Sequence, residues 1–265
     1  MANSAITIDS LGLMESLRLG KGDVVSLVGA GGKTTLLYLL SNEMRRHGLS
    51  VITTSTTHMQ IPNLGMTIPP IVFADDEENW LTSVKEQLSR FGSVTVVGSR
   101  ERDDKLKGIA SVDVDPMCSL VDCVLIEADG ARGRSLKAPE THEPVVPEQT
   151  TLTVVLAGLD VLGLRLEESA VHRLDRVLKA SWATKGMTIS EDIVADTLAN
   201  GYLSSIPAES RRVAFLNKAE DSRLSSAEYI AENLIQKGFD EVVFGELARP
   251  QELFFRVRPD PNAEP

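Results

Sequence analysis

A glycine-rich segment joins an apolar run to a helical pattern near the start of the chain. It reads GAGGKTT and consists of Gly29, Ala30, Gly31, Gly32, Lys33, Thr34 and Thr35. Glycines let a backbone turn tightly and aim several N–H groups at phosphate oxygens. A helix that begins at the loop adds its positive N-terminal pole, a lysine reaches the outer phosphates, and a hydroxyl faces Mg²⁺. The segment therefore predicts a nucleotide phosphate-binding loop.

The spacing of this loop is shorter than the common rule. The pattern G-x-x-x-x-G-K-[ST] would place its first glycine at Leu27, inside the apolar run. The observed G-x-x-G-K-T-T is similar to the loop of Mur-type peptide ligases, which bind ATP. The alternative is a strand-to-helix turn with an incidental lysine. That alternative does not explain why Gly-Gly-Lys-Thr-Thr stands between an apolar strand and an apolar helix, so we favour the phosphate-binding interpretation.

Acidic residues follow a second apolar run, CVLI. Glu127-Ala-Asp129-Gly130 is an E-x-x-G version of the GTPase pattern D-x-x-G, in which a carboxylate at a strand end holds Mg²⁺. An Asp-Gly turn is the alternative. Together with the loop, the pattern favours a metal site formed by Thr34 and either Glu127 or Asp129. Arg132 and Arg134 come next, and their guanidinium groups suit phosphate or carboxylate, although a solvated pair of loop residues explains them almost equally well.

Asn217-Lys218-Ala219-Glu220 resembles the guanine-reading motif N-K-x-D. We expect Asn217 and Lys218 to contact the base and Glu220 to stand in for the motif's aspartate. Glu220 is one methylene longer than that aspartate. The motif therefore favours GTP only modestly over ATP.

Two further segments carry histidine beside other polar groups. In TTSTTHM, which ends a β-branched run, His58 is a candidate base or substrate contact. The proline-rich segment 137–147 contains Lys137, His142 and Glu143 and is interpreted as a substrate or partner loop. We place His172 on a helix. The histidines are far apart and have no cysteines at zinc-ligand spacing.

The elements that must position these residues alternate between strand and helix, which predicts an α/β fold with a mostly parallel central sheet covered on both faces. Ligands of such sheets bind at the carboxyl ends of the strands, where all the segments above fall. We expect one P-loop NTPase-like three-layer sandwich over residues 1–265, with a loose tail over 249–265. The predicted strands are 50–57, 94–97, 123–128, 152–156, 213–216 and 241–244, besides the one before the loop, and the predicted helices are 34–47, 75–91 and 225–237, with 167–200 mostly helical.

Composition limits the class of protein. The chain has 265 residues, of which 42% are hydrophobic and 25% charged, and its net charge is −11. So acidic a surface disfavours nucleic-acid binding. We also expect no membrane span and no signal peptide, since no apolar run is long enough and the start MANSAITIDS lacks a basic segment. Two cysteines, Cys118 and Cys123, fit a reduced cytoplasmic setting.

Several unusual segments occur together and in order: GAGGKTT, TTSTTHM, VLIEADGARGRSLKAPETHEPVVP, GLDVLG, VHR and LNKAED. In this the chain resembles the YqeC-type family, accessory proteins of selenium-dependent molybdenum hydroxylases. The resemblance covers roughly residues 24–221. It implies a P-loop NTPase-like fold and a role in maturing such a hydroxylase. Glu220 departs from the expected acid. The residues on the family's motif positions are Lys33, Thr34, Glu127, Asp129, Arg132, Lys137, His142, Glu143 and Asn217.

Three functions remain open from the sequence. The first is an Mg²⁺-dependent, slow NTPase that uses GTP or ATP and helps to install a cofactor in the client hydroxylase. Its partners would be the nucleotide and the client or its cofactor-maturation proteins, with a homodimer as a further alternative. The second is a ligase or phosphoryl-transfer enzyme acting on a selenium or pterin cofactor precursor. The third is a non-catalytic binding module. The candidate catalytic residues are Lys33, Glu127, Asp129, Arg132 and His58.

Overall fold

The computed structural model of the protein describes residues 6–60, 68–76, 78–102 and 105–260. Its strands, within these ranges, are β1 Ile6–Leu11, β2 Val24–Gly29, β3 Val51–Ser55, β4 Met59–Gln60, β5 Ile71–Phe73, β6 Ser93–Val97, β7 Arg100–Arg102, β8 Lys105–Leu106, β9 Cys123–Glu127, β10 Leu136–Lys137, β11 Leu152–Gly158, β12 Val171–His172, β13 Arg211–Asn217, β14 Glu241–Gly245 and β15 Phe254–Pro259. The helices are α1 Leu13–Ser16, α2 Lys33–Arg46, α3 Trp80–Phe91, α4 Val114–Cys118, α5 Leu174–Ser181, α6 Glu191–Tyr202 and α7 Leu224–Gln236.

Ten strands form one sheet in the order β1-β15-β14-β13-β11-β2-β9-β3-β6-β5. Neighbouring strands from β14 to β5 pair in parallel, whereas β15 pairs antiparallel with both β14 and β1. Strand β2, which leads into the glycine-rich loop, lies in the middle between β11 and β9. The sheet is therefore mostly parallel, as the alternation of strands and helices predicts.

Apolar residues cover both faces of the sheet. In β2, Val24 and Val28 belong to one buried cluster, while Val25 and Leu27 belong to another. Successive side chains of a strand point to opposite faces, so these clusters lie on opposite sides of the sheet. Helix α2 packs in the second cluster through its i, i+3 and i+4 positions, and α6 and α7 contribute to the first. The architecture is thus a three-layer α/β sandwich with a mostly parallel central sheet.

The parallel pairing brings four chain segments to one edge. The residues after β2, β3, β9 and β13 all lie at the carboxyl ends of parallel neighbours or near neighbours. These are the segments that carry GAGGKTT, TTHM, EADGAR and NKAE. The small antiparallel sheet of β4, β8 and β7 follows β3 at the same edge. The fold thus gathers most of the chemically distinctive residues in one place.

Some predicted elements differ from the structure. The tail prediction is wrong for residues 254–259, which form β15 with backbone pairing on both sides, and residues 261–265 lie outside the described part of the chain. Strand β1 was not predicted either. Region 167–200 contains only α5 and α6 as helices, and His172 lies on the short strand β12 instead of a helix. Helix α3 begins at Trp80, five residues later than predicted. Within the described residues, no helix is long and apolar enough to cross a membrane.

Candidate functional site

The glycine-rich loop is held in a conformation that only glycine adopts easily. The φ angles of Gly29, Gly31 and Gly32 are +92°, +85° and +136°. A Cβ atom on Gly31 would lie 2.3 Å from the backbone nitrogen of Gly158, and one on Gly29 would lie 2.3 Å from the carbonyl oxygen of Leu156. The loop therefore packs directly on the end of β11, and its glycines are needed for both space and backbone angle.

The N–H groups of this loop have two different roles. Ala30 donates to the Leu156 carbonyl at 2.9 Å and Gly31 donates to the Arg134 carbonyl at 3.0 Å, which fixes the loop to its neighbours. The N–H groups of residues 32–35, at the first turn of α2, have no hydrogen-bond partner in the part of the chain that the structure describes. Such free N–H groups carry the positive end of the helix dipole. The loop presents four donors to an anion, and Ala30 and Gly31 brace it.

We expect Gly31→Ala to damage the loop much more than Gly133→Ala. Both glycines have left-handed backbones, with φ of +85° and +72°, but a Cβ on Gly133 would have no atom within 4 Å. Gly133→Ala should cost only the backbone strain of about 1 kcal/mol. Gly31→Ala adds a steric overlap with β11, for a total of roughly 3 kcal/mol in the free energy of unfolding. Urea denaturation checks this, and equal losses in the two variants would contradict the packing of the loop on β11.

Lys33 and Thr34 meet the two acids of the E-x-x-G segment. The buried Lys33 donates from Nζ to the Gly29 carbonyl at 2.7 Å, and its Nζ lies 3.1 Å from Asp129 Oδ1 and 3.9 Å from Glu127 Oε1. The Thr34 hydroxyl donates to Glu127 Oε2 at 2.8 Å. Four residues chosen from sequence therefore lie together at the start of α2.

Glu127 and Asp129 occupy different environments. Glu127 lines the cleft in front of the loop, whereas Asp129 is fully buried behind it. Asp129 Oδ2 accepts hydrogen bonds from the Gly29 N–H at 3.1 Å, from Lys137 Nζ at 2.8 Å and from the Tyr202 hydroxyl at 3.1 Å. The sequence left the two acids as equal candidates for a metal. The geometry makes Glu127 the acid beside the Thr34 hydroxyl and Asp129 a brace for the loop.

The Thr34–Glu127 pair fits Mg²⁺ by its chemistry. Both side chains offer oxygen, and Mg²⁺ takes one or two protein oxygens together with phosphate oxygens and water. Burial raises the pKa of Glu127 while the Lys33 charge opposes that rise, so a further cation would favour the ionised carboxylate. No group of three or more His, Cys, Asp or Glu side chains among the described residues could hold a metal alone. A bound nucleotide would have to supply the remaining ligands.

A buried chain of charges extends from the loop. Lys137, with no exposed surface, donates to Asp129, to the Gly130 carbonyl at 2.6 Å and to Glu143 Oε2 at 2.7 Å. Arg173 donates through both terminal nitrogens to the Glu143 carboxylate, at 2.9 Å from Nη2 to Oε1. Burial opposes ionisation of Glu143, but these hydrogen bonds outweigh it and lower its pKa to about 2. Lys137 is thus fully buried, whereas Glu143 is half-buried and lines the cleft in front of the glycine-rich loop.

A cleft of about 1030 Å³ lies in front of the phosphate loop. Residues 31–35 form its floor, and Glu127, residues 130–134, His172, Arg173, Asn217, Lys218 and residues 246–248 are among its walls. His58 is at the rim, half exposed, with Nε2 3.4 Å from Glu101 Oε2. His142 is exposed and is not among the lining residues. The structure therefore brings together most of the candidate residues from the sequence, but leaves His142 apart.

Asn217 of the NKAE segment stabilises the glycine-rich loop, whereas Glu220 lies outside the cleft. Asn217 donates from Nδ2 to the Gly31 carbonyl at 2.6 Å, and its Oδ1 accepts from the Lys218 and Leu247 N–H groups at 2.8 and 3.0 Å. Glu220 does not line the cleft. It pairs with Arg223 at 3.0 Å and borders a separate depression of about 400 Å³. Asn217 is thus a clamp between β13 and the phosphate loop.

His172 and Arg173 line the cleft but were not predicted as site residues from the sequence. They line the cleft because β12 pairs in parallel with β10, which places His172 opposite Lys137. Burial lowers the pKa of His172 to about 4, and the positive charges of Arg173, Lys137 and Arg132 add to the effect. VHR is a distinctive segment, but its distance in sequence from the loop gave no signal of proximity.

His172 should make stability depend on pH between about 4 and 6.5. In that range the unfolded chain binds a proton that the folded protein does not, so stability rises with pH. We expect the rise to be smaller in His172→Gln. NMR titration of the imidazole resonance that this variant lacks gives the pKa directly, and a value near 6.5 would contradict the position of the ring.

The chain is similar to known proteins in sequence and in structure. The model of the family "YqeC protein" matches residues 25–175. The chain is 32% identical to YqeC of Escherichia coli (strain K12) over 199 residues, which are 74% of this chain and 75% of that protein. Among solved structures it is similar to the signal recognition particle receptor FtsY of Elizabethkingia anophelis, with 12% identity, a TM-score of 0.38 and coverage of 91% of this chain and 67% of that one.

The cell division protein FtsY of Thermotoga maritima is also similar, with 14% identity, a TM-score of 0.41 and coverage of 95% of this chain and 72% of that one. The family match spans more than half of the chain and includes the phosphate loop and the buried acids. The Escherichia coli relative extends the likeness to about three quarters of both proteins. The chain therefore belongs to the YqeC family.

Proposed function

We propose that this protein binds a nucleoside triphosphate with Mg²⁺ at the glycine-rich loop and hydrolyses it slowly. One observation carries the proposal. The N–H groups of residues 32–35, which have no partner in the described ranges, belong to the segment that lines the same cleft as Lys33 and the Thr34–Glu127 pair. Donors, a cation and two metal-binding oxygens are the three parts that a triphosphate with Mg²⁺ requires.

Each residue has a defined role in this proposal. The N–H groups of residues 32–35 would hold the phosphates, and Lys33 would leave the Gly29 carbonyl to reach the outer phosphate. Thr34 and Glu127 would hold Mg²⁺, which supplies charge neutralisation when bound. Asp129 keeps its partner Lys137 when Lys33 moves, so it need not become an unpaired buried charge. Arg132 is a candidate for stabilising the transferred phosphoryl group, and His58 at the rim is a candidate base.

We propose a slow reaction because the chain positions few groups around the departing phosphate. A charge placed on that phosphate by an arginine can be worth roughly 10³–10⁵ in rate. Either Arg132 moves into that place or a partner supplies the group. The family resemblance motivates a partner of one kind, a selenium-dependent molybdenum hydroxylase or a protein that matures its cofactor. The nucleotide would then drive delivery or insertion of the cofactor.

The identity of the nucleobase depends on Asn217, Lys218 and Glu220. Asn217 and Lys218 lie on the wall of the cleft, where the N-K-x-D resemblance would place a guanine. Glu220, which would accept hydrogen bonds from guanine, is paired with Arg223 instead. GTP and ATP are therefore both proposed ligands. Tight binding of GTP alone would require Glu220 to leave Arg223.

Titration with Mg²⁺ and ATP, GTP or CTP tests the proposal. Calorimetry gives the affinity for each nucleotide, and release of inorganic phosphate gives the rate. We expect saturable binding of ATP or GTP that weakens when Mg²⁺ is removed by EDTA, and a low rate without a partner. Absence of binding at millimolar concentration of all three nucleotides would contradict the proposal. Binding without any phosphate release would leave nucleotide recognition standing and remove hydrolysis.

A further inference from the structure

We propose that the cleft contains a second anion-binding subsite, formed by Arg132, Arg134 and His172, for a small molecule that carries a phosphate or carboxylate group. The subsite extends the proposed function, because it would place a second substrate beside the nucleotide bound at the phosphate loop. No residue of the subsite belongs to the loop itself.

Arg132 and Arg134 bring two positive charges without acidic partners among the described residues to the wall of the cleft. Both line the cleft and are exposed, and neither forms an ion pair with any residue in the described ranges. The chain has 38 acidic residues against 27 lysines and arginines, so acidic partners are abundant elsewhere. A guanidinium group offers a planar fork of N–H donors that matches carboxylate or phosphate oxygens. Two guanidinium groups of this kind therefore line the cleft and can bind an anion there.

The backbone holds these arginines next to the phosphate loop. The Arg134 carbonyl accepts the hydrogen bond from the Gly31 N–H at 3.0 Å, and the Arg134 N–H closes a turn on the Ala131 carbonyl at 3.0 Å. Within this turn, Arg132 has a φ of +48°, the left-handed region that a side-chain-bearing residue rarely adopts. Strained backbone of this kind persists where the surroundings enforce it and often marks a binding site. The segment is thus fixed to the loop.

His172 supplies a neutral hydrogen-bonding group on the same wall. It is half-buried, and its lowered pKa of about 4 keeps the imidazole uncharged near neutral pH. The Arg132 charge is among the causes of that shift, after burial and the charges of Arg173 and Lys137. Arg173 does not belong to the subsite, because both of its terminal nitrogens donate hydrogen bonds to the Glu143 carboxylate. Glu143 in turn is neutralised by Lys137 and Arg173, so it does not repel an anion strongly.

The cleft is large for the pocket of a single small molecule. Pockets for a single small molecule usually measure about 300–1,000 Å³. This cleft, at about 1030 Å³, is at the upper limit of that range. A triphosphate bound at the first turn of α2 would occupy the floor of the cleft and the wall that contains Asn217. The wall formed by Arg132, Arg134 and His172 would remain open to a second anion, in which case a partner, and not Arg132, supplies the charge on the transferred phosphoryl group.

Phosphorus-31 NMR can test both ligands in one sample. The protein is saturated with Mg²⁺ and a non-hydrolysable nucleoside triphosphate, and inorganic phosphate is then titrated while the width of its resonance is followed. The test variant is Arg132→Gln/Arg134→Gln. The matched control is Arg45→Gln/Arg46→Gln, which removes the same charge from two exposed arginines at the far end of α2. A second arm titrates malonate against bound phosphate to decide which group the subsite prefers.

We expect saturable broadening of the phosphate resonance in the wild type and the control, with affinity lowered roughly tenfold or more in the test variant. Broadening that does not saturate, or that is equal in all three proteins, would overturn the subsite. The nucleotide resonances report separately on the phosphate loop. If the nucleotide does not bind, the titration is repeated with Lys33→Ala without nucleotide, where loss of phosphate binding on removal of Arg132 and Arg134 would still support the subsite and its persistence would refute it.

Discussion

Lys33→Ala is expected to abolish the stabilisation that a nucleotide with Mg²⁺ gives to this protein. A ligand at about 100 times its dissociation constant adds roughly 2.7 kcal/mol to the free energy of unfolding. For a chain of this size that is a rise of roughly 5–10 °C in Tm. Lys33 belongs to the floor of the cleft, at the first turn of α2, so its loss removes the charge that we propose reaches the outer phosphates. Thermal unfolding with and without nucleotide measures the effect.

Each variant must be compared with its own nucleotide-free form, since removal of Lys33 also takes a partner from Asp129. Lys21→Ala is the matched control. Lys21 precedes β2 at the opposite edge of the sheet, is 79% exposed and pairs with Asp122. We expect Lys21→Ala to keep the full shift in Tm. A nucleotide shift that survives in Lys33→Ala would mean that the short loop is not the binding site.

Lys137→Met is expected to give a large loss of stability. The ammonium group uses all three of its donors in the interior, to Asp129, Glu143 and the Gly130 carbonyl. Methionine preserves much of the volume but leaves Asp129 as a buried carboxylate with Lys33 as its remaining cation. Removing one member of a buried ion pair typically costs about 3–5 kcal/mol. Urea denaturation at neutral pH measures the loss.

The same replacement at Lys185 provides the control, because Lys185 is 59% exposed and pairs with Glu168 at 2.9 Å. Exposed pairs contribute only about 0–1 kcal/mol. A second variant, Lys137→Met/Asp129→Asn, removes the buried carboxylate that has lost this lysine and should recover part of the loss. If Lys137→Met costs no more than Lys185→Met, the buried chain of charges does not support the phosphate loop as described.

The central strands could be predicted because each of them contains its own continuous apolar run. CVLIE and LTVVLAG are nearly continuous apolar runs, as expected for parallel strands buried on both faces. Helix α2 shows apolar residues at helical spacing and ends near Gly48. A glycine-rich loop that carries lysine and threonine between a strand and a helix is typical of a phosphate site. Local patterns were therefore enough for the fold class and for the place of the site along the chain.

The antiparallel edge could not be predicted in the same way. β15 contains charged and aromatic residues and ends at Pro259, so its sequence suggests a loose tail. It becomes a strand because β14 on one side and β1 on the other supply backbone partners. Pairing between residues 6–11 and 254–259 joins the two ends of the chain. No local periodicity reports a contact over such a distance.

The sequence by itself determined the α/β class, the glycine-rich turn before α2 and the approach of Lys33, Thr34, Glu127 and Asp129, since all four follow strands whose carboxyl ends share one edge. Only the tertiary structure decided that Glu127 faces the cleft while Asp129 is buried. It also decided that Lys137 is buried, and that Glu143, His172 and Arg173 line the cleft. The physical reason is that burial and charge pairing arise from segments far apart in sequence. The residue types indicate which groups can bind anions or metals. The pairing of β10 with β12 decides that His172 lies opposite Lys137.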